Sequence, residues 1–135
     1  MRSGDDLSSM ACPPKYRHMG DFLDYFNGTS IAPVPTIFIG GNHEASNHLL
    51  DLYYGGWVCP NIYYMGHSGV VNFGGLRIAG ISGIYNHHHY RMGHFEKPPL
   101  SPDMVRSAYH FREFEIEKLR MVRQFINVFI QNFLD

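Results

Sequence analysis

One stretch limits what this chain can fold into more than any other: Thr36-Ile37-Phe38-Ile39 follows Pro35 and runs straight into Gly40-Gly41. Branched and aromatic residues bounded by a proline and a glycine pair predict a short buried strand that ends in a turn. The turn carries Asn42, His43 and Glu44 in succession. Open α/β sheets bind ligands beyond the carboxyl ends of their strands, where these three side chains would stand. The Asn42 carbonyl suits a hard metal, and an imidazole at His43 can give or take a proton. A plainer alternative is a strand, a turn and a helix cap in which Asn42 and His43 satisfy local backbone groups.

The rest of the chain supports one globular domain, with 44% hydrophobic and 17% charged residues among 135. The formal net charge of −1 gives no global field for nucleic acid, so any such contact needs a local patch. Cys12 and Cys59 are the only cysteines and form no Cys-x-x-Cys pair, which argues against a zinc knuckle or a secreted disulfide framework and for a reducing compartment. No apolar run has the length of a membrane span, and the amino terminus lacks a signal-peptide pattern. Nine histidines make metal or acid–base work worth weighing.

Residues 1–12 read as loop. Pro13-Pro14 opens a helical segment whose Tyr16, Met19, Leu23 and Phe26 share one face, stopped at Asn27-Gly28. Ser46 and Asn47 cap a short helix over 48–52, ended by Gly55-Gly56, with Trp57 as a packing anchor. Asn61–Met65 reads as a strand. Val70–Phe73, Gly74-Gly75 and Leu76–Ile81 read as a β-hairpin. Residues 86–102 show no periodicity, and loops of that length are commonly functional or disordered. Ser101-Pro102-Asp103 opens a long helix reaching Leu119, and residues 125–130 suit either a strand or its continuation. The order predicts a layered α/β architecture with a mixed sheet.

Between His87 and Arg112, the basic residues Arg91, Lys97, Arg106 and Arg112 outnumber Glu96 and Asp103. His87, His88, His89, His94 and His110 add donors, while Tyr90, Phe95, Tyr109 and Phe111 add ring faces. Cations interleaved with aromatics suit single-stranded or irregular RNA. The same composition suits a solvated loop followed by an amphipathic helix with its rings in the core. His48 and His67 read as packing or turn histidines.

Gly-Asn-His-Glu after a strand resembles a signature block of the metallophosphoesterase superfamily, which hydrolyses phosphate esters at a two-metal centre. Further strings narrow the resemblance: Cys12 to Met19, Gly40 to Leu49, Tyr54 to Val58, Asn61 to Tyr64, Gly80 to Tyr85 and Tyr90 to Glu96. In this order they resemble the RNA lariat debranching family over nearly the whole chain. The resemblance implies a partial metallophosphoesterase domain over 1–135, a layered α/β/β/α sandwich without its first strands and carboxyl-terminal part. It implies hydrolysis of the 2′,5′-phosphodiester at the branch point of excised intron lariats, in the nucleus, with Fe2+, Zn2+ or Mn2+ as cofactor. Branched RNA is the partner, with neither DNA nor membrane expected. Asn42 would be a metal ligand and His43 the general acid. A lariat-recognition segment over 82–112 would meet RNA through Tyr90, Arg91, His94, Phe95, Arg106, Tyr109, His110 and Arg112.

Two ligand blocks of that family, expected before residue 1, are not found here, and Asn132 stands where a ligand histidine is expected. A two-metal site needs about six to eight ligands. The expectation is therefore a central fragment that does not debranch RNA by itself. Two alternatives stand beside it: a non-catalytic RNA-binding fragment or decayed copy, and another metallophosphoesterase, such as a phosphoprotein phosphatase.

Overall fold

The strand over Thr36–Phe38 (β1) is an edge of a three-stranded sheet: it pairs in parallel with the central Ile62–Tyr64 (β3), which pairs antiparallel with Gly56–Cys59 (β2). The computed structural model describes residues 1–122 and 124–132. A bulge between Trp57 and Cys59 breaks the β2–β3 register. The connection turns at Asn61, whose φ of 63° is a left-handed conformation that asparagine tolerates. Against this sheet pack the helices Phe22–Phe26 (α2) and Ser46–Asp51 (α3). Val58, Cys59 and Tyr64 form the buried centre there, covered by Phe22, Tyr25, Phe38, Leu49, Leu52 and Ile62.

The second sheet has three strands as well. Ser68–Phe73 (β4) and Leu76–Ile81 (β5) form the expected hairpin, in register from Ser68↔Ile81 to Phe73↔Leu76. Gly74 and Gly75 both have positive φ, as a tight two-residue hairpin turn demands. Val128–Gln131 (β6) runs parallel to β5, so the carboxyl-terminal run is a strand and not a helix. The fold is thus mixed α/β with two small mixed sheets.

Several sequence expectations need correction. Residues 1–12 are not all loop: Gly4–Ser8 forms a helix (α1) capped by Ser3, whose hydroxyl accepts from the Asp5 amide. Its Asp6 is buried and takes three hydrogen bonds from Arg2 and one from Asn47. Burial pushes that carboxyl up, but these donors win and hold it down to about 2. The single helix expected after Pro13 is a 3-10 turn over Pro14–Tyr16 followed separately by α2. The β2 strand, Gly56–Cys59, follows Gly55 without any alternating pattern to signal it. Trp57 lies on it 63% exposed, meeting Tyr63 edge-on at 5.2 Å, so it anchors no core.

The long helix expected from residue 102 to 119 is two helices, Pro102–Ser107 (α4) and Glu113–Arg120 (α5). Between them, residues 108–112 leave the helical path to meet Ile84: His110 bridges Ile84 in parallel, and the Ile84 and Phe111 amides donate to the carbonyls of Tyr109 and Ile84. Ser101 does cap α4, accepting from the Met104 amide at 3.3 Å. Residues 86–100 contain no helix or strand, as the missing periodicity predicted.

Candidate functional site

Gly40 is where the two sheets meet. Its amide donates to the Ser82 hydroxyl at 3.0 Å, and its carbonyl accepts from the Gly83 amide at 2.8 Å. The Ser82 hydroxyl donates in turn to the Gly66 carbonyl at 2.6 Å. One buried hydroxyl therefore joins the ends of β1 and β5 to the turn after β3. Gly83 has a φ of +83°, and a Cβ there would overlap the Tyr109 carbonyl oxygen, so only glycine lets these segments close. The sequence signal for this role is slight, a serine between a strand end and a glycine.

The clasp leaves the next residues on a fixed base. Glu44 bends back to accept from the Gly41 amide at 3.3 Å. Asn42 is half-buried and His43 exposed, so the imidazole is open to solvent at the mouth of the turn. Asn132, one residue beyond β6, comes to the same place: a Cβ on Gly41 would lie 3.3 Å from its Nδ2. The fold thus brings Asn132 beside the Gly41-Asn42-His43 turn, across ninety residues of sequence. A groove of about 350 Å3 opens beside His43, walled by Phe22, Phe38, His48, Leu49, Val58 and Ile62 among others. His48 belongs to packing, buried with its ring 6.2 Å from Phe22 and 6.3 Å from Phe26.

The basic-aromatic segment divides in two. Arg91, Phe95 and Arg106 are exposed, and Tyr90, His94 and Tyr109 are intermediate. His110 and Arg112 are buried, which corrects the picture of a uniformly displayed surface. The Arg112 side chain is 1% exposed. Its Nη2 donates to Glu96 Oε1 at 2.6 Å and its Nη1 to the His110 carbonyl at 2.6 Å. Its charge serves the segment's own fold.

Around that pair lies a buried polar cluster. His94 Nδ1 meets Glu96 Oε2 at 3.1 Å and its Nε2 meets Glu115 Oε1 at 3.2 Å. Glu115 also accepts from the Arg112 amide and from the Tyr53 hydroxyl. Burial opposes ionisation of both carboxyls, yet His94 and the other donors prevail and bring each down to about 2. His67 is no ordinary turn histidine. It is buried, stacks on Tyr53 at 4.6 Å, meets His94 edge-on, and its Nε2 donates to the Ala108 carbonyl at 3.1 Å. Burial and the nearby His94 charge push its pKa down to about 4. The spacing of Arg112 and Glu115, three apart at a helix start, was the available sign of this cluster.

Among the described residues no three His, Cys, Asp or Glu side chains converge on a point that could hold a metal. The turn and Asn132 together offer two amides and one imidazole, which falls short of a complete two-metal donor set. Cys12 and Cys59 are buried free thiols, and no described helix is long and apolar enough to cross a membrane.

No protein-family model matches the chain. Curated proteins do. Over 98% of its length it is 51% identical to the lariat debranching enzyme of Arabidopsis thaliana, 56% to that of Homo sapiens and 51% to that of Schizosaccharomyces pombe. The chain is a homologue of the lariat debranching enzymes. It spans 32%, 24% and 28% of the lengths of those three relatives and so aligns with one segment of each. Both the Gly40–Glu44 turn and the segment after Ser82 lie in the stretch that aligns with lariat debranching enzymes.

Proposed function

We propose that this chain carries the Asn-His turn and the RNA-facing segment of a lariat debranching enzyme, acting in the nucleus on the 2′,5′-phosphodiester at the branch point of intron lariats. The identity of 51–56% across 98% of the chain to proteins of that name carries the reading. The two small sheets are then part of the layered α/β/β/α sandwich of a metallophosphoesterase, spanning 1–135 with its recognition segment at 82–112.

In this reading His43 donates a proton to the departing 2′-oxygen, which its exposed position at the mouth of the turn allows. Asn42 offers its carbonyl to a divalent cation, Fe2+, Zn2+ or Mn2+, without adding negative charge. The described donors on this chain do not complete a two-metal centre, and the chain alone is expected not to turn over substrate. Arg91 and Arg106, both exposed, meet phosphates, while Tyr90, Phe95 and Tyr109 offer ring faces to bases. Arg112 and His110 act from inside, holding the segment in shape.

The test is to mix the purified chain with a 2′,5′-branched oligoribonucleotide and Mn2+. Binding without cleavage is the expected result. Cleavage abolished by His43→Ala would overturn the claim that this donor set is insufficient. The exposed Arg91 and Arg106 beside aromatic residues favour a second reading, a non-catalytic RNA-binding module. It predicts salt-dependent binding that survives chelation and is lost in the Arg91→Ala, Arg106→Ala double variant.

A further inference from the structure

Three rings outside the buried cluster stand together without belonging to the core. Tyr85 lies 5.4 Å from Tyr90 and 6.1 Å from Phe111, and Tyr90 lies 6.3 Å from Phe111, all between ring centroids. The rings lean on one another at 48° to 83°. Tilted contacts use ring edges and leave faces uncovered. Tyr85 remains 60% exposed despite two aromatic neighbours. A large ring held in water by other rings costs burial that a core position would have gained.

The backbone beneath them is fixed. Ile84 is paired on both sides of its peptide with Tyr109 and Phe111. The Tyr90 amide donates to the Asn86 carbonyl at 2.9 Å, and the Glu113 amide donates to the Tyr90 carbonyl at 2.7 Å. The Asn86 side chain accepts from the His88 and His89 amides, closing one tight turn. Two residues before Ile84, Ser82 grips Gly40, which is itself two residues before Asn42. The rings are therefore attached rigidly to the base of the candidate site.

The surroundings favour an anion. From Ile84 to Phe95 the chain has no acidic residue, and Arg91, His87 and His88 are exposed. Glu96 is turned inward, and Glu113 adds one exposed carboxylate beside Tyr90. Rings with free faces beside a cation and little negative charge match an unpaired nucleobase with its phosphate.

We propose that Tyr85, supported by Tyr90 and Phe111, is a stacking platform for one unpaired base of the branched RNA, with Arg91 taking the adjoining phosphate. The assignment rests on the proposed RNA-binding function and names a ring, Tyr85, that the basic-aromatic composition had not singled out. Preorganisation explains the three-ring build: the platform loses little conformational freedom when a base arrives.

The experiment uses a 2′,5′-branched oligoribonucleotide carrying 2-aminopurine in turn at each unpaired position. Affinity is read by anisotropy and stacking by fluorescence quenching. Tyr85→Phe keeps the ring and is expected to keep both signals. Tyr85→Leu keeps an apolar side chain without a π-face. It is expected to lose the quench at one position and to weaken binding by roughly fivefold to a hundredfold, the range for one stacked base. The exposure of Tyr85 leaves both variants folded, which circular dichroism checks. Undiminished binding and quenching in Tyr85→Leu would overturn the platform while leaving RNA binding intact. Absence of RNA binding by the unaltered chain would instead overturn the functional reading, and the platform with it.

Discussion

The guanidinium of Arg112 meets the carboxylate of Glu96 at 2.6 Å, with side-chain exposures of 1% and 0%. An ion pair so enclosed costs desolvation on both sides, and its Coulomb energy roughly offsets that cost. Its influence is on shape. It binds residue 96 of an otherwise irregular loop to the start of α5.

Removing one partner strands a buried charge. Arg112→Met is expected to lower unfolding free energy by about 3–5 kcal/mol, and the double variant Arg112→Met, Glu96→Leu to recover most of it. Urea denaturation of the three proteins measures both. An equal loss in single and double variants would show that packing and not charge decides the site.

His94 gives the loop an alkaline limit. Carboxylate oxygens face both of its ring nitrogens, so the docked ring carries two protons. Burial alone would lower its pKa, but Glu115 and Glu96 outweigh it and raise the pKa above 6.5, with Arg112 opposing. Tyr53 and His67 pack against the ring and bring no compensating charge. A histidine that holds its proton more tightly when folded contributes stability complete below 6.5 and lost as pH rises through the raised value. Amides at 90–95 will therefore exchange faster at alkaline pH, beyond the intrinsic chemical rate. His94→Gln is expected to remove that pH dependence.

The acid limit comes from other histidines. His67 and His110 both have pKa values pushed down to about 4, in each case by burial first and neighbouring positive charge second. The unfolded chain takes up these protons near 6.5 and the folded one resists, so stability falls as pH drops from about 6.5 to 4. Below that, protonation of Glu96 and Glu115, both brought down to about 2, continues the loss. Urea midpoints across this range are expected to show the slope, and His67→Phe to reduce it between 6.5 and 4, with His110, His48 and His89, whose pKa values burial also lowers, supplying the remainder.

Ser82→Ala leaves the Gly40 amide and the Gly66 carbonyl without their shared partner. A loss of about 1–3 kcal/mol is expected for stranded buried groups, read by thermal unfolding. Unchanged stability would mean that the clasp is replaceable by water.

The elements with local signals were legible in the sequence. The hairpin announced itself through two glycines between alternating runs, and β1 through its proline and glycine borders. What the sequence hid was set by distant partners. The apolar spacing of Met104, Ala108 and Phe111 suits a helix, but residues 108–112 bend away to pair with Ile84, and the bulged β2 carries no alternation. The basic residues near 112 looked like surface because charge normally is. Only the arrival of Glu96, with the Ser107 and His110 carbonyls, makes a buried Arg112 guanidinium tolerable. For the candidate site, Asn42 and His43 were readable from their turn, whereas the nearness of Asn132 depends on β6 lying beside β5.

The Ser82 hydroxyl carries a wider lesson about reading variation. Its position demands a side chain small enough to fit, able to give a proton to one carbonyl and take one from an amide at once. Serine and threonine alone combine a neutral hydroxyl with that size. A substitution there would be tallied as a loss of chemistry, in any screen scored by activity, although residue 82 need never touch a substrate. Damage at the joint between two sheets would present itself as damage to the reaction.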